Sequence, residues 1–259
     1  MAAYQEILFH LENDIATITL NRPEQLNGMT SRMRVEMLDA IRRARKEARV
    51  MVLTGAGRGF CSGQDLGTTK TADDVDAAQV LREEYEPILH AIERSEIPVI
   101  CAVNGPAAGA GANLALACDV VIAARSAYFL EAFARIGLLP DAGGTYHLPR
   151  LVGLARAMGM CLFAEPIPAA QAAEWGLIWE VVEDDALTAR AGELAGRLAK
   201  GPTKAYAAIR RALRQGLAND YHAQLEVEAT EQSALGNTRD FKEGVLAFLE
   251  KRKPSYEGR

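Results

Sequence analysis

The sequence predicts an α/β protein with a helical C-terminal region. Strands and helices alternate up to about residue 150, three loops are rich in small residues, and helical periodicity dominates from about residue 151 onward. At 259 residues the chain exceeds the usual domain of roughly 100–200 residues, yet one large α/β domain, or a domain with a helical appendage, accounts for this length. A composition of 49% hydrophobic and 24% charged residues indicates a globular protein and excludes disordered, collagenous and disulfide-scaffold classes.

The first predicted elements are a strand, a helix and a second strand. β-branched residues alternate over 15–20, a pattern typical of a strand, and the turn-forming Asn21-Arg22-Pro23 ends it. Over about 31–48 the apolar residues recur at helical spacing, with basic residues on the other face. The apolar run 50–54 predicts a buried strand, and four glycines within 55–63 predict a tight loop after it.

The same succession then recurs with variations. A helix is predicted over about 72–95 and a buried strand over 98–103, and a second small-residue loop, 105–111, leads into an apolar helix at 112–118. Two short strands and a third glycine-rich loop are predicted at 120–124, 128–130 and 137–144. Because loops on an α/β scaffold commonly carry ligand sites, function is expected at these three loops.

The C-terminal part is predicted to be almost entirely helical. Pro202 suits a first helical turn, and Asp240 followed by Glu243 resembles a capping box. One strand is predicted here, at 179–182. The predicted helices are 150–162, 168–175, 185–199, 202–215, 220–235 and 240–251.

Charge, hydropathy and cysteine usage restrict the partners and the compartment. The net charge of −5, from 29 basic and 34 acidic residues, provides no overall positive field for nucleic acid. The longest apolar run, 97–103, is far shorter than the roughly 20 residues that span a bilayer, and the N-terminus has acidic residues where a signal peptide needs basic and apolar ones. We therefore expect a cytoplasmic protein without a membrane or nucleic-acid partner. Its separated cysteines, three of them in core-like stretches, are expected to be free thiols: Cys61, Cys101, Cys118 and Cys161.

Common cofactor and catalytic motifs do not occur in this sequence. A dinucleotide-binding G-x-G-x-x-G would need glycine at Phe60 in the first loop and at Leu114 after the second. Phosphate-loop and G-x-S-x-G hydrolase motifs are missing. The histidines lack the spacing of metal ligands: His10, His90, His147 and His222. Neither a metal nor a redox cofactor is therefore expected.

The remaining chemistry consists of two small-residue loops and one acid. Two convergent backbone N–H groups can stabilise the negative charge that develops on a carbonyl oxygen when an enolate forms. Asp141 lies among apolar neighbours in the third loop, so partial desolvation is expected to raise its pKa and make it a better proton acceptor. The alternative is a turn aspartate that bonds its own backbone, and composition and spacing leave both interpretations open.

Five segments carry a resemblance to a known family: 21–23, 53–66, 104–111, 118–119 and 137–144. Through them the sequence resembles the enoyl-CoA hydratase/isomerase (crotonase) family over nearly the whole chain. The resemblance implies a crotonase spiral of β-β-α units over 1–200, which would hold the coenzyme A and active sites. It also implies a helical region over 201–259 for oligomerisation, as a homotrimer or a hexamer made of two trimers, and for closure of the acyl pocket. The implied substrate is an acyl-CoA thioester.

The same resemblance assigns site residues. By position, the oxyanion hole falls on the backbone N–H groups of Gln64 and Ala110, and Asp141 is the catalytic acid and base. The coenzyme A groove would be lined, mostly through main-chain contacts, by Arg22, Ser62, Asp65 and Leu66. Glu131 lies near the expected acyl pocket as a possible second acid, although a solvent-facing position at a strand end is the favoured interpretation.

The sequence also departs from the family's hydratases. Where these carry two glutamates that hold and activate water, this chain has Asn113 and Phe133, so ordinary hydration is not expected. The segment from Pro140 to Gly144, with Asp141 where many hydratases have glycine, resembles the branch that isomerises ring 1,2-epoxyphenylacetyl-CoA to oxepin-CoA in phenylacetate breakdown. Three alternatives stay open: a Δ3,Δ2-enoyl-CoA isomerase of β-oxidation, a hydratase that relies on Asp141 alone, and a noncatalytic binding or assembly subunit.

Overall fold

A mixed β-sheet lies at the centre of the computed structural model, which describes residues 4–65, 67 and 76–258. The strands in chain order are β1 (Ile7–Glu12), β2 (Ile15–Leu20), β3 (Val50–Gly55), β4 (Val99–Val103), β5 (Ala107–Ala108), β6 (Val120–Ala124), β7 (Tyr128–Leu130), β8 (Ile167–Pro168) and β9 (Glu180–Val182). Within the described residues the central sheet has the order β1-β2-β3-β4-β6-β9. Among the described strands of this sheet only β1 and β2 pair antiparallel, so the carboxyl ends of β2, β3, β4 and β6 meet along one edge. The α/β class predicted from the sequence is confirmed.

Helices cover this sheet and form the C-terminal region. They are α1 (Ser31–Glu47), α2 (Ala77–Val80), α3 (Glu86–Glu93), α4 (Ala110–Leu116), α5 (Gly144–Val152), α6 (Leu154–Phe163), α7 (Ala169–Glu174), α8 (Leu187–Ala199), α9 (Thr203–Gly216), α10 (Tyr221–Gly236) and α11 (Arg239–Leu249). A π-helical turn, Leu81–Tyr85, joins α2 to α3, and a 3₁₀ turn, Ala132–Ile136, follows β7. The helix predicted over 150–162 is in fact two helices, because Gly153 adopts φ +78 between α5 and α6.

The first helix shows how the local sequence produces the core. Thr30 caps α1 by accepting a hydrogen bond from the backbone N–H of Met33 at 3.0 Å, and basic residues occupy the last turn. Met33, Met37 and Ile41 share one face of the helix and are fully buried against the sheet. Cys61, Cys101 and Cys118 are also buried, Cys161 is half-buried, and all four thiols are free.

Ion pairs attach α9 to the central sheet, and the end of the chain binds to α11. Asp119, directly before β6, accepts hydrogen bonds from Arg210 Nε at 2.6 Å and from Arg214 Nη2 at 2.7 Å, both on α9. The predicted capping role of Asp240 is wrong. Thr238 caps α11, while the buried Asp240 carboxylate accepts hydrogen bonds from the backbone N–H groups of the chain's tail at 257 and 258.

Within the part of the chain that the structure describes, no helix combines the length and the apolar character that crossing a bilayer requires.

Candidate active site

Asn104 ties the first two loops together at the carboxyl ends of β3 and β4. Its Oδ1 accepts a hydrogen bond from the backbone N–H of Gly55 at 3.1 Å. Its Nδ2 donates to the backbone carbonyl of Gly57 at 3.0 Å. Thr54 of β3 is in register with Ala102 of β4, so the two strands end side by side. One asparagine therefore sets the separation of the two loops in which the sequence predicts backbone donors.

The first loop turns the N–H of Gln64 away from its neighbouring segment. Met29 and Gln64 form an isolated parallel bridge, in which the Met29 N–H donates to Gly63 O at 2.8 Å and the Asp65 N–H donates to Met29 O at 3.1 Å. These bonds use the residues on either side of Gln64, so the N–H of Gln64 itself points to the opposite side. The Gln64 N–H is thus not used by this bridge.

Glycine at position 109 shapes the backbone before Ala110, the second predicted donor. Gly109 precedes α4 with φ +53 and ψ −130, a conformation that residues with a Cβ rarely adopt. Ala110 is the first residue of α4, so its N–H has no acceptor within the helix. The two loops touch here, because a Cβ placed on Gly63 would lie 3.4 Å from Ala110 N and 2.9 Å from Ala108 O. The structure thus brings Gln64 and Ala110 onto adjoining backbone segments.

Asp141 is held by its main chain, while its carboxyl group is partly buried. Its carbonyl oxygen accepts hydrogen bonds from the Gly144 N–H at 2.8 Å and from Asn113 Nδ2 at 2.9 Å. Burial raises the pKa of the carboxyl group from 3.8 to about 6, and a hydrogen bond from its own backbone N–H opposes this shift. The burial of the carboxyl group agrees with the desolvated acid, and the hydrogen bond from its own backbone N–H agrees with the turn aspartate.

The charge of Asp141 also acts on the surroundings of Gln64. Its charge raises the pKa of Tyr85, for which burial is the main cause of the increase. The Tyr85 hydroxyl donates a hydrogen bond to Gln64 Oε1 at 2.7 Å. Asn113, which bonds to the Asp141 carbonyl, belongs to α4, the helix that Ala110 begins. The predicted base is thus hydrogen-bonded to the helix that Ala110 begins.

Glu131 is buried, contrary to the solvent-facing position that the sequence favoured. It is 1% exposed and lies between the end of β7 and the 3₁₀ turn that begins at the next residue. Asn113 Nδ2 lies 3.3 Å from Glu131 Oε2, and the same nitrogen bonds to the Asp141 carbonyl. Burial, with a smaller contribution from the Asp141 charge, raises the pKa of Glu131 to about 7. The sequence pattern at the end of a strand does not show whether segments distant along the chain bury it.

Three buried oxygen atoms in this region are available as hydrogen-bond acceptors. Within the described residues Asn113 Oδ1, Glu131 Oε1 and Asp141 Oδ1 are inaccessible to solvent and make no hydrogen bond. Buried polar atoms are normally paired, so a cluster of this kind indicates a functional role. Phe133, 7% exposed, supplies an apolar wall instead, since its ring would lie 3.7 Å from a Cβ placed on Gly109.

The residues predicted for the coenzyme A groove lie next to Gln64. Arg22 Nη1 donates to Asp65 Oδ2 at 2.6 Å, and Ser62 Oγ donates to the backbone carbonyl of Gln25 at 3.3 Å. The hydrogen bond from the Gly67 N–H and the Arg22 guanidinium together hold the pKa of Asp65 below its usual value. Leu66, the remaining predicted groove residue, lies outside the described residues.

Sequence reasoning missed two residues that contact the Gln64 side chain. Arg34 Nη1 donates to Gln64 Oε1 at 2.7 Å, and Tyr85 donates to the same oxygen. A signal existed for Arg34, because it stands three and seven residues before Met37 and Ile41 and so belongs to the buried face of α1. Tyr85 is far from Gln64 in sequence and gave no signal.

Comparisons with known proteins identify the family. A family model described as enoyl-CoA hydratase/isomerase matches residues 10–259. A protein of Rhodobacter capsulatus named probable enoyl-CoA hydratase is 56% identical, and the match covers 99% of this chain and 100% of that protein. The 1,2-epoxyphenylacetyl-CoA isomerase of Escherichia coli K12 is 45% identical, with 98% of each chain covered. The solved structure of an enoyl-CoA hydratase from Bacillus anthracis has a TM-score of 0.91 at 34% identity, covering 98% of this chain and 100% of that one.

These matches extend over almost the entire chain and include both the sheet domain and the C-terminal helices. The crotonase fold expected from the sequence motifs is therefore confirmed. Because the family model spans all but the first nine residues, the chain belongs to the enoyl-CoA hydratase/isomerase (crotonase) family of CoA-thioester enzymes.

Proposed function

We propose that the protein is an isomerase of CoA thioesters whose substrate is a ring 1,2-epoxyphenylacetyl-CoA, in phenylacetate breakdown. The Escherichia coli relative is named for that activity, and a Streptococcus mutans relative, 36% identical, is named an isomerase of trans-2-decenoyl-[acyl-carrier-protein]. Asn113 and Phe133 support isomerisation over hydration, because neither an amide nor a phenyl ring can act as a general acid or base.

The observation that carries the proposal is the state of Asp141. Its Oδ1 is buried without a hydrogen bond, and burial raises its pKa to about 6. A carboxyl group with a pKa close to the working pH can both accept and return a proton. Its main-chain hydrogen bond with Asn113, on the helix that Ala110 begins, supports a role beside the thioester carbonyl.

In the proposed reaction the substrate loses and regains one proton. The N–H groups of Gln64 and Ala110 stabilise the charge on the thioester oxygen while Asp141 removes a proton from the α-carbon, and the C–H electron pair becomes that of an enolate. With a 3-enoyl chain, the electrons form the C2–C3 double bond as Asp141 returns the proton at C4. With the ring epoxide, the bond between the two epoxide carbons breaks to give the oxepin, and the proton is returned to a ring carbon.

Further features are proposed on the same basis. The reaction consumes no oxidant or reductant, because substrate and product have the same composition, and we propose that it uses neither a metal nor a redox cofactor. Arg22, Ser62, Asp65 and Leu66 are proposed to line the coenzyme A groove. We also propose a cytoplasmic homotrimer or hexamer with a catalytic part over 1–200 and an oligomerising part over 201–259. Exposed apolar side chains on α9 and α11 support the oligomer: Ile209, Leu213, Phe241, Val245 and Phe248.

A hydratase is the second candidate, and the burial of Glu131 favours it. Hydration requires one group to activate water and another to protonate the α-carbon. Asp141 has a pKa of about 6 and Glu131 a pKa of about 7, and Asn113 Nδ2 binds both the main-chain carbonyl of Asp141 and the carboxyl group of Glu131. The Rhodobacter capsulatus relative is named a probable enoyl-CoA hydratase. The product formed from an enoyl-CoA distinguishes the two candidates.

The test is product analysis by NMR and mass spectrometry after incubation with 3-hexenoyl-CoA in deuterated water. We expect the 2-enoyl product, no added water, and loss of the reaction in Asp141→Asn but not in the matched exposed variant Asp185→Asn. The wild-type protein is then given the ring epoxide, and oxepin-CoA is the expected product. Accumulation of 3-hydroxyacyl-CoA would establish the hydratase instead. Inertness toward both substrates would refute the proposal in favour of a noncatalytic or narrowly specific protein.

A further inference from the structure

Arg34 is a buried cation that the proposed reaction leaves without a role. It is 3% exposed on the sheet-facing side of α1, and its Nε donates to Glu84 Oε2 at 2.7 Å. Its Nη1 lies 2.7 Å from Gln64 Oε1 and 2.8 Å from Met29 O. Burying a guanidinium is costly unless it is paired and hydrogen-bonded, so the position of each partner is tied to that of the arginine.

Tyr85 approaches the same glutamine from a different element. It ends the π-helical turn, is 5% exposed, and donates its hydroxyl to Gln64 Oε1 at 2.7 Å. The Arg34 guanidinium carbon lies 4.8 Å from the centre of the tyrosine ring. An amide oxygen has two lone pairs, so these two donors saturate Gln64 Oε1. The Gln64 side chain is thus held from α1 and from the π-helical turn at once.

Gln64 needs such an anchor because of the residue before it. Gly63 has φ +91 and no side chain, so the peptide between Gly63 and Gln64, which carries the Gln64 N–H, lacks the usual steric restraint. Met29 restrains the flanking Gly63 O and Asp65 N, and Arg34 also donates to the Met29 carbonyl. The Gly63 carbonyl lies in the same planar peptide as the Gln64 N–H, so its bond to Met29 gives the N–H its direction, and the anchored Gln64 side chain keeps that peptide in place.

We propose that Arg34 and Tyr85 are positioning residues of the oxyanion hole, which fix the direction of the Gln64 N–H by binding the Gln64 side-chain oxygen. The inference rests on the proposed function, in which that N–H polarises the thioester carbonyl. Neither residue touches the reacting atoms. Both act through Gln64, so their loss reduces stabilisation of the enolate without removing the donor.

Two variants separate this role from charge and bulk. Tyr85→Phe removes only the hydroxyl, and Arg34→Lys keeps a cation for Glu84 but not the fork of donors. Misplacing a reacting group can cost about 100-fold in rate, so we expect kcat to fall about 10-fold in the first variant and about 100-fold in the second. KM should stay within about twofold, because the lost interaction strengthens only in the transition state.

The decisive measurement is the infrared band of the thioester carbonyl in bound phenylacetyl-CoA labelled with ¹³C at that carbon. Hydrogen bonds to the oxygen lower the frequency, so wild-type protein should show a downshift and both variants a smaller one. Two matched controls should keep the wild-type band. Tyr4→Phe removes an exposed hydroxyl that donates to Asp39, and Arg210→Lys alters another buried arginine, paired with Asp119.

Each outcome has one meaning. No downshift in the wild-type protein would refute the proposed oxyanion hole itself. A wild-type downshift that both variants retain, with circular dichroism showing them folded, would refute the positioning role alone. Should Arg34→Lys fail to fold, Tyr85→Phe decides. The pKa of Asp141 predicts that the activity of the wild-type protein changes near pH 6, and this change should remain in Tyr85→Phe. Because the Asp141 charge acts on Tyr85, loss of the change would show that the tyrosine acts through Asp141 instead.

Discussion

Replacing Asp141 with asparagine should abolish activity and, at neutral pH, stabilise the fold. The folded-state pKa of about 6 lies above the ordinary value of 3.8, so the folded protein binds this proton more tightly than the unfolded chain does. Stability attributable to this group is therefore present below about pH 4 and is lost as the pH rises to about 6. Asparagine carries no charge and avoids that loss.

The size of the effect follows from the shift. At about 1.36 kcal/mol per pKa unit, a shift of about two units corresponds to roughly 3 kcal/mol for a fully buried group. Asp141 is only partly buried, and solvent screening reduces this to about 1–2 kcal/mol. Its main-chain hydrogen bonds to Gly144 and Asn113 use the carbonyl oxygen and persist in the variant.

The assay is urea denaturation followed by circular dichroism at several pH values, with Asp185→Asn as the exposed control. We expect Asp141→Asn to exceed the wild-type protein by about 1–2 kcal/mol at pH 7.5 and to match it near pH 4. Isomerase activity should fall at least about 100-fold, the usual minimum for removing a general base. The burial argument for this carboxyl group would be refuted if the variant were less stable than the wild-type protein at pH 7.5. It would also be refuted if the difference in unfolding free energy between the two proteins were the same at every pH.

Three more predictions test the surroundings of the site. Glu131→Gln should remove a fall in kcat above about pH 7, because an ionised Glu131 would repel the enolate, and a pH series of kcat from 5.5 to 8.5 checks this. Gly109→Ala places a residue with a Cβ at a backbone φ of +53 and should change the direction of the Ala110 N–H, so kcat should fall about 100-fold. Wild-type turnover by this variant would contradict the assignment of that donor. Asp119→Ala removes the carboxylate that pairs with Arg210 and Arg214 and should lower the unfolding free energy by about 3–5 kcal/mol in urea titrations. A change below about 1 kcal/mol would mean that Arg210 finds another partner.

The sequence predicted the strands and helices whose periodicity reflects their own burial. β3 and β4 are short apolar runs buried throughout, and α1 has a continuous apolar face, so each is visible locally. β1 was missed because only Ile7 of its six residues is buried, which leaves no alternation to detect. It forms because β2 is available to pair with it along its whole length.

Some features of the candidate site are likewise visible in the local sequence, and others depend on distant segments. Loop glycines and an acid among apolar neighbours are local features of the chain, and they indicated two backbone donors and Asp141. The burial of Glu131 and the contacts of Tyr85 arise from segments that are distant in sequence, and pattern carries no information about them. Asp240 shows the limit even for a local motif, since a carboxylate at a helix start serves the chain's tail instead of the helix.

Asn113 holds the proposed base by its main-chain carbonyl and does not bind the carboxyl group through that contact. Under the proposed function, one carboxyl group serves two carbon atoms from a single side of the acyl plane. It can then return a proton only to the face from which it removed one. The stereochemical consequence is a suprafacial transfer, and part of the hydrogen in the product would be the substrate's own.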